Sequence, residues 1–263
     1  MNYSFMSFST PKLSLAEMLE AARKFGYDGI EPRLDEGHKH GIEVAATAAD
    51  REKAFKMAKD TGISICCLAT SLTFSDPAKK DAMIRQCLER IDLACDVGAR
   101  TLRVFGGKLA AGLTREAAII LAADSLASVA DHAAEKAVTL CVETHDDWCN
   151  PSHVLAVLRR VDHPAVGANW DIMHPVRTKN ASIEESFQKL RPWIKHLHIH
   201  DCDEAGKLVP IGEGIIDHRR AIHLLKSNNY GGFISGEWIG WEPWEKHLPR
   251  EIATLKGYEE EAS

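Results

Sequence analysis

Short runs of β-branched, aromatic and aliphatic residues recur along the whole chain, with longer stretches of apolar residues at helical spacing between them. These runs predict eight strands, near 3–8 (YSFMSF), 28–33 (DGIEPR), 63–69 (ISICCLA), 101–106 (TLRVFG), 138–143 (VTLCVE), 165–171 (AVGANWD), 194–200 (IKHLHIH) and 232–238 (GFISGEW). Helix signals fall in the intervals. Ser14 with Glu17 makes a capping box, and Gly26 marks the stop of the same helix. Asp76-Pro77 predicts the start of a helix running toward Gly98, Thr114 the start of one through Lys136, and Asn150-Pro151-Ser152 the start of HVLAVLRRV. Strand–helix alternation repeated about eight times predicts an α/β fold, a single-domain (β/α)8 TIM barrel over 1–263, with its site at the carboxyl ends of the strands. The stretch Asp201–Asp217, rich in Gly and Pro, reads as the longest irregular connection and is expected to cover a substrate above the seventh strand.

Composition narrows the function. A chain of 263 residues, 45% of them apolar, suffices for one large core. A net charge of −6 opposes a phosphate-binding surface, so a small-molecule partner is expected and nucleic acid is not. Seven cysteines without a CxxC spacing read as reduced thiols of a cytoplasmic protein. The start, MNYSFMSFSTPK, has no basic segment followed by a long apolar run, and no uncharged stretch approaches the roughly 18 residues of a membrane span. A soluble protein without a membrane partner is therefore expected, with room for a homo-oligomer.

Candidate chemistry lies at the strand ends of the second half. Glu143 closes LCVETH, Asp171 closes VGANWD, His198 lies in IKHLHIHD and Glu237 in GGFISGEW. Alternation puts Cys141 and Glu143 on one face, and likewise Gly167, Asn169 and Asp171, and His196, His198 and His200. Three carboxylates and an imidazole converging inside a barrel are costly to desolvate without a partner, and they form an oxygen and nitrogen cage suited to one divalent cation.

The order E-x-H, D-x-x-H, H-x-H-x-x-D and G-E-W resembles the xylose isomerase-like sugar isomerase and epimerase barrels, including the tagatose 3-epimerase and inosose dehydratase groups. The likeness runs from GYDGIEPR to the eighth-strand glutamate. It implies Glu143, Asp171, His198 and Glu237 as ligands of one divalent metal ion (Mn, Mg, Co or Zn), with the middle histidine of the seventh strand chosen over His196 and His200. His200 then stands nearer solvent, where many relatives carry Lys, and is expected to bind substrate. The D-x-x-H histidine, His174, is expected to touch substrate oxygens, and His145, Glu31 and Lys207 are further substrate-binding candidates. Arg103 suits a substrate carboxylate or phosphate, or an ion pair with Glu31. Gly212-Glu213-Gly214 resembles the family's GxG loop and signals a backbone turn. Trp170, Trp238, Trp241 and Trp244 are placed to wall off a sugar ring or to pack in core and rim.

Other motifs fail. Gly107 and Gly112 stand at P-loop spacing, but Leu113-Thr114 replaces Lys-Ser/Thr, and no GxGxxG after the first strand, HExxH or GxSxG occurs. The expected activity is a metal-dependent sugar or polyol isomerase or epimerase working through a metal-stabilised enediolate, with Glu143 and Glu237 as proton acceptor and donor. The alternative is a dehydratase of a keto-polyol, inosose or dehydroshikimate, which starts in the same way and then expels a β-hydroxyl. Endonuclease IV-like repair chemistry ranks lower, because its extra zinc histidines are replaced here by LATS and VFGG at the third and fourth strand ends. A catalytically dead binding barrel ranks with it.

Overall fold

The computed structural model describes residues 1–262. Eight parallel strands form the barrel: β1 Asn2–Met6, β2 Gly29–Glu31, β3 in two pieces (Ser64–Ile65 and Cys67–Thr73), β4 Thr101–Phe105, β5 Thr139–Glu143, β6 Val166–Asp171, β7 Ile194–Ile199 and β8 Phe233–Gly236. β1 pairs with both β2 and β8, and the ladder runs on through β7, β6, β5 and β4 to the second piece of β3. The first piece of β3 pairs with β2, and an Arg33–Ala69 bridge ties the second piece to the chain leaving β2. The ring thus closes around β3. All eight predicted strands are present; the break at Cys66 was not foreseen. Its N–H still bonds Ile30 O, so the irregularity bends the strand without opening the wall.

The helices, α1 Leu15–Phe25, α2 Ala48–Thr61, α3 Lys80–Val97, α4 Arg115–Glu135, α5 Pro151–Val161, α6 Met173–Arg177, α7 Ile183–Leu190, α8 His218–Ser227 and α9 Trp244–Glu261, follow the strands. Ser14 caps α1 through the expected reciprocal bonds with Glu17, and Gly26 ends it in the left-handed region at φ 80°. Thr114 caps α4 and Asn150 caps α5, as the sequence suggests. The third helix begins at Lys80, later than Asp76-Pro77 implies, because the Asp76 carboxylate is spent on a local turn to Ala78 N. α4 is long and apolar enough to meet the composition of a membrane span, yet its Ala118, Ala122, Leu126, Val129 and Ala133 are buried in the core.

Outward residues of the strands meet the apolar faces of the helices. Leu68, Leu102, Val104, Leu140, Val142, Leu197 and Ile234 are almost fully buried there, each worth about 1.5–3 kcal/mol of transfer free energy for the larger side chains. Trp170 belongs to this layer, packed on Phe187 of α7 with ring centroids 5.8 Å apart. It does not wall the interior, as alternation with Asn169 and Asp171 requires. Trp244 packs on Phe25, outside the barrel, and Trp238 and Trp241 pack on His247.

The connection after β7 is more ordered than its composition suggests. It opens with a two-stranded hairpin, Asp201–Cys202 against Leu208–Val209. The buried Asp201 carboxylate then accepts N–H bonds from Cys202, Gly212, Gly214 and Ile216 at 2.9–3.2 Å. Gly212 has φ +90°, and a Cβ on Gly214 would lie 2.3 Å from Asp201 Oδ1, so both glycines of the GxG loop are dictated by this clasp.

Candidate active site

Inward positions of the strands stack in layers. Near the carboxyl ends, Glu143 of β5, Asp171 of β6, His198 of β7 and Glu237 just beyond β8 offer ligand atoms all within 4.8 Å of one another, and all four are buried. His198 Nδ1 lies 2.7 Å from Glu143 Oε1 and 3.4 Å from Glu237 Oε2. Its Nε2 lies 3.0 Å from Glu31 Oε1, while His196 Nε2 bonds Glu31 Oε2 at 2.8 Å. Glu31 is therefore wedged beneath the cage between two imidazoles and is wholly buried. Strand alternation aims it inward, and its carboxylate is taken up by His196 and His198.

Asp171 is fixed from three directions. Its Oδ1 accepts from Met173 N and His174 N at the start of α6, and its Oδ2 lies 2.9 Å from His200 Nε2. His200 Nδ1 in turn lies 3.0 Å from the Glu237 carbonyl. Since both of its neighbours are acceptors, His200 carries both protons, and its pKa is raised: burial opposes the charge, and Asp171 outweighs burial. His198 is likewise pushed well up, by Glu31, Glu143 and Glu237 against burial. Burial raises a carboxylate, yet the histidines outweigh it: Glu31 and Asp171 sit well below their usual range, and Glu237 is held at about 2.

Arg103 is buried with Nη1 donating to Thr70 O, and its Nε stands 3.3 Å from Glu143 Oε2 without hydrogen-bond alignment. Its ion-pair partner is thus Glu143, not Glu31. His145 packs between Phe105 at 5.0 Å and His174 at 4.2 Å, and His174 packs on His200 at 5.6 Å between centroids. Burial lowers His145, but Asp146, Glu143 and Asp171 lift it to about 9, whereas burial leaves His174 depressed. Lys207 is exposed at the hairpin turn and touches none of the cage residues among the described contacts.

Two carboxylate oxygens in the cage, Glu143 Oε2 and Glu237 Oε2, are buried without a hydrogen-bond partner, and so are both polar atoms of Asn169, one layer below Asp171. Leaving such atoms bare costs about 1–3 kcal/mol each, more where charged. A divalent cation would answer that cost. The donor set, three carboxylates and one imidazole, suits Mg, Mn, Co or Zn, and a histidine whose other ring N–H meets a carboxylate is the usual support of a metal ligand. The residues present fit the ion. Sequence reasoning assigns Asn169 no role in this site and reads Glu31 as a substrate contact without its partner His196, because that partner comes from another strand.

Comparison with known proteins agrees. A family model described as the xylose isomerase-like TIM barrel matches residues 19–258. The chain belongs to the xylose isomerase-like TIM-barrel family. Within it, a 3-dehydroshikimate dehydratase from Bacillus anthracis is 24% identical, with 91% of each chain covered. An L-ribulose-5-phosphate 3-epimerase from Salmonella typhimurium is 25% identical over 82% of this chain and 79% of that one. The solved structure of an L-ribulose 3-epimerase superposes with TM-score 0.83 at 19% identity, covering 100% of this chain and 96% of the other, which shows the shared fold. Curated relatives of this xylose isomerase-like chain thus include both an epimerase and a dehydratase.

Proposed function

We propose that the protein is a divalent-cation-dependent isomerase or epimerase of a sugar or polyol, with Glu143, Asp171, His198 and Glu237 holding the ion. The observation that carries this reading is a cage of three buried carboxylates and His198 in which two oxygens, Glu143 Oε2 and Glu237 Oε2, make no hydrogen bond. The bound cation would act as a Lewis acid that stabilises the enediolate of a hydroxy-ketone. Glu143 offers two carboxylate oxygens, so one can face the ion while the other takes a proton from carbon. Glu237 is the counterpart that exchanges a proton through the carboxylate oxygen it does not turn to the ion. His174 remains a neutral imidazole at neutral pH and is placed to donate to or accept from a substrate hydroxyl. His200 has both ring nitrogens engaged, so it positions Asp171 and the Glu237 backbone. The reduced thiols fit a cytoplasmic location.

The second reading is a dehydratase, favoured by the near full-length match to the Bacillus anthracis enzyme and by the charged His145 beside neutral His174, an acid within reach of a leaving hydroxyl. Proton NMR in deuterated water separates the two on a panel of L-ribulose, other ketoses, an inosose and 3-dehydroshikimate. The epimerase reading expects C–H exchange and a stereoisomeric product from a ketose. Dehydration alone, seen as an enone or aromatic product, would establish the second reading, and no exchange on any of them would sink both.

A further inference from the structure

One layer above the cage, the inward positions form a second ring that the substrate must pass. At and beyond the ends of β4 to β7 it is built of Phe105, His145, His174 of α6 and His200, each touching the next at ring distances of 4.2–5.6 Å. On the opposite wall, Arg33 follows Glu31 by two residues and so rises from β2 on the same inward face. Its position is fixed by side-chain contacts: Nη2 donates to Ser71 Oγ at 2.6 Å, Nη1 donates to Leu34 O, and the guanidinium stands 5.9 Å from the Phe8 ring. Ser71 is exposed although Arg33 is only 6% exposed, so the guanidinium lines the mouth from beneath its edge.

This layer supplies no carboxylate of its own from the strands. Its acidic partners come from the loops behind it: Glu36, 44% exposed, at 3.1 Å from Arg33, and Asp146 at 3.1 Å from His145. The cage below is the reverse, with three carboxylates whose ligand atoms lie within 4.8 Å of one another and Glu31 just beneath them. A substrate that meets both layers is read by a cation-binding floor and a donor-rich rim. Burial first, then Arg103, pull the Arg33 guanidinium below its usual range, but an arginine stays charged at neutral pH.

We propose that the substrate carries an anion, a carboxylate or a phosphate, at the end remote from its reacting carbon, and that Arg33 holds that anion at the β2 side of the mouth. This rests on the carbonyl chemistry proposed for the cage, since it is the reacting end, held below, that leaves the other end at the rim. Arg33 is then the residue that sets substrate class. Its Nη2 already meets Ser71 and Glu36 and its Nη1 meets Leu34 O, so an anion is held through the remaining N–H groups or in exchange for the half-exposed Glu36, and the two anions are told apart by experiment.

The test measures equilibrium binding, without turnover, of L-ribulose, L-ribulose 5-phosphate and 3-dehydroshikimate to the metal-loaded protein by calorimetry. One of the two anions should bind more tightly than neutral L-ribulose, and which one it is names the source. Arg33→Gln should weaken that anion about tenfold or more, as expected for a lost charge-assisted pair, and Arg33→Lys should recover part of the loss. Affinity for the anion should also fall as salt rises, a reading that needs no variant and decides the matter should Arg33→Gln fail to fold. Unchanged anion binding in folded Arg33→Gln, salt-independent anion binding, failure of both anions to saturate, or L-ribulose binding as tightly as both anions would overturn the assignment. Absent C–H exchange with intact Arg33-dependent binding would instead refute the chemistry proposed for the cage.

Discussion

The two ends of the barrel interior are equally buried and chemically opposite. On β5, Cys141 and Glu143 share a face two residues apart, and each is about 1% exposed or less. Toward the floor, Cys66, Cys67 and Cys141 are thiols whose pKa burial pushes far up, and the Tyr230 hydroxyl is raised in the same way. All stay neutral. Toward the mouth, the same burial acts on Glu31, Asp171 and Glu237, yet all three are held down, because His196 and His198 hydrogen-bond Glu31, His200 hydrogen-bonds Asp171, and His198 stands 3.4 Å from Glu237. Burial alone therefore does not set the charge of a group in this barrel. The counter-charge supplied by neighbouring strands does, and it is concentrated in one layer.

The largest effect should follow from neutralising the mouth. Glu143→Gln and Glu237→Gln should each cut turnover by about 10²–10⁴-fold while leaving the circular dichroism spectrum and melting temperature near those of the parent. A variant retaining more than a tenth of the parental rate would break the contrast between the layers. Next, Glu31→Gln removes the carboxylate beneath His198 and should weaken binding of Mn or Mg by about 10–100-fold, read with a competing chelator, because the tautomer of a ligand histidine is set by its second partner. Parental affinity in that variant would show that Glu31 serves packing alone.

Much of this arrangement was legible before any coordinates. The eight strands announced themselves because each apolar run is bounded by turn residues, and Glu143, Asp171, His198 and Glu237 are gathered as strand-end spacing requires. Illegible parts depend on register or on loops. Glu31 lands one layer low because β2 is sheared against β7, a quantity the pattern of β2 does not contain. Arg33 was passed over for want of its partners, Ser71 and Phe8, which arrive from β3 and from the turn after β1. The glycines of the GxG loop looked like a turn signal, and only the four N–H bonds to Asp201 show what the turn is wrapped around.

At the floor, the expected change is in stability and not in rate. Cys141→Ser places a hydroxyl in an apolar layer and should lower unfolding free energy by about 1–3 kcal/mol in urea, with turnover within about twofold of the parent. A loss of activity larger than the loss of stability would blur the division between the layers.

A smaller effect comes from His40, at the loop beyond β2. Its Nε2 donates to Arg33 O at 3.1 Å and its Nδ1 accepts from Ile42 N at 3.0 Å, so the neutral ring is fully used. Burial brings its pKa down to about 4. The unfolded chain, with a pKa of about 6.5, takes up the proton first, so this contribution is complete above that pH and is lost as pH falls toward 4. Unfolding free energy should drop by about 1 kcal/mol between about pH 6.5 and 5.5, and His40→Gln should flatten that portion of the profile. An unchanged slope in the variant would place the pH dependence elsewhere.

The measurement that bears most directly on the whole account is solvent deuterium incorporation into a responding substrate, followed by NMR while the protein is stripped with chelator and titrated with Mn, Mg, Co or Zn. The cage predicts that exchange is lost on stripping, returns on titration and saturates near one equivalent of ion, and that Glu143→Asp and Glu237→Asp bind the ion but exchange far more slowly, because proton transfer tolerates displacements of only about 1 Å. Exchange at the parental rate in the stripped protein, or in both aspartate variants, would contradict it.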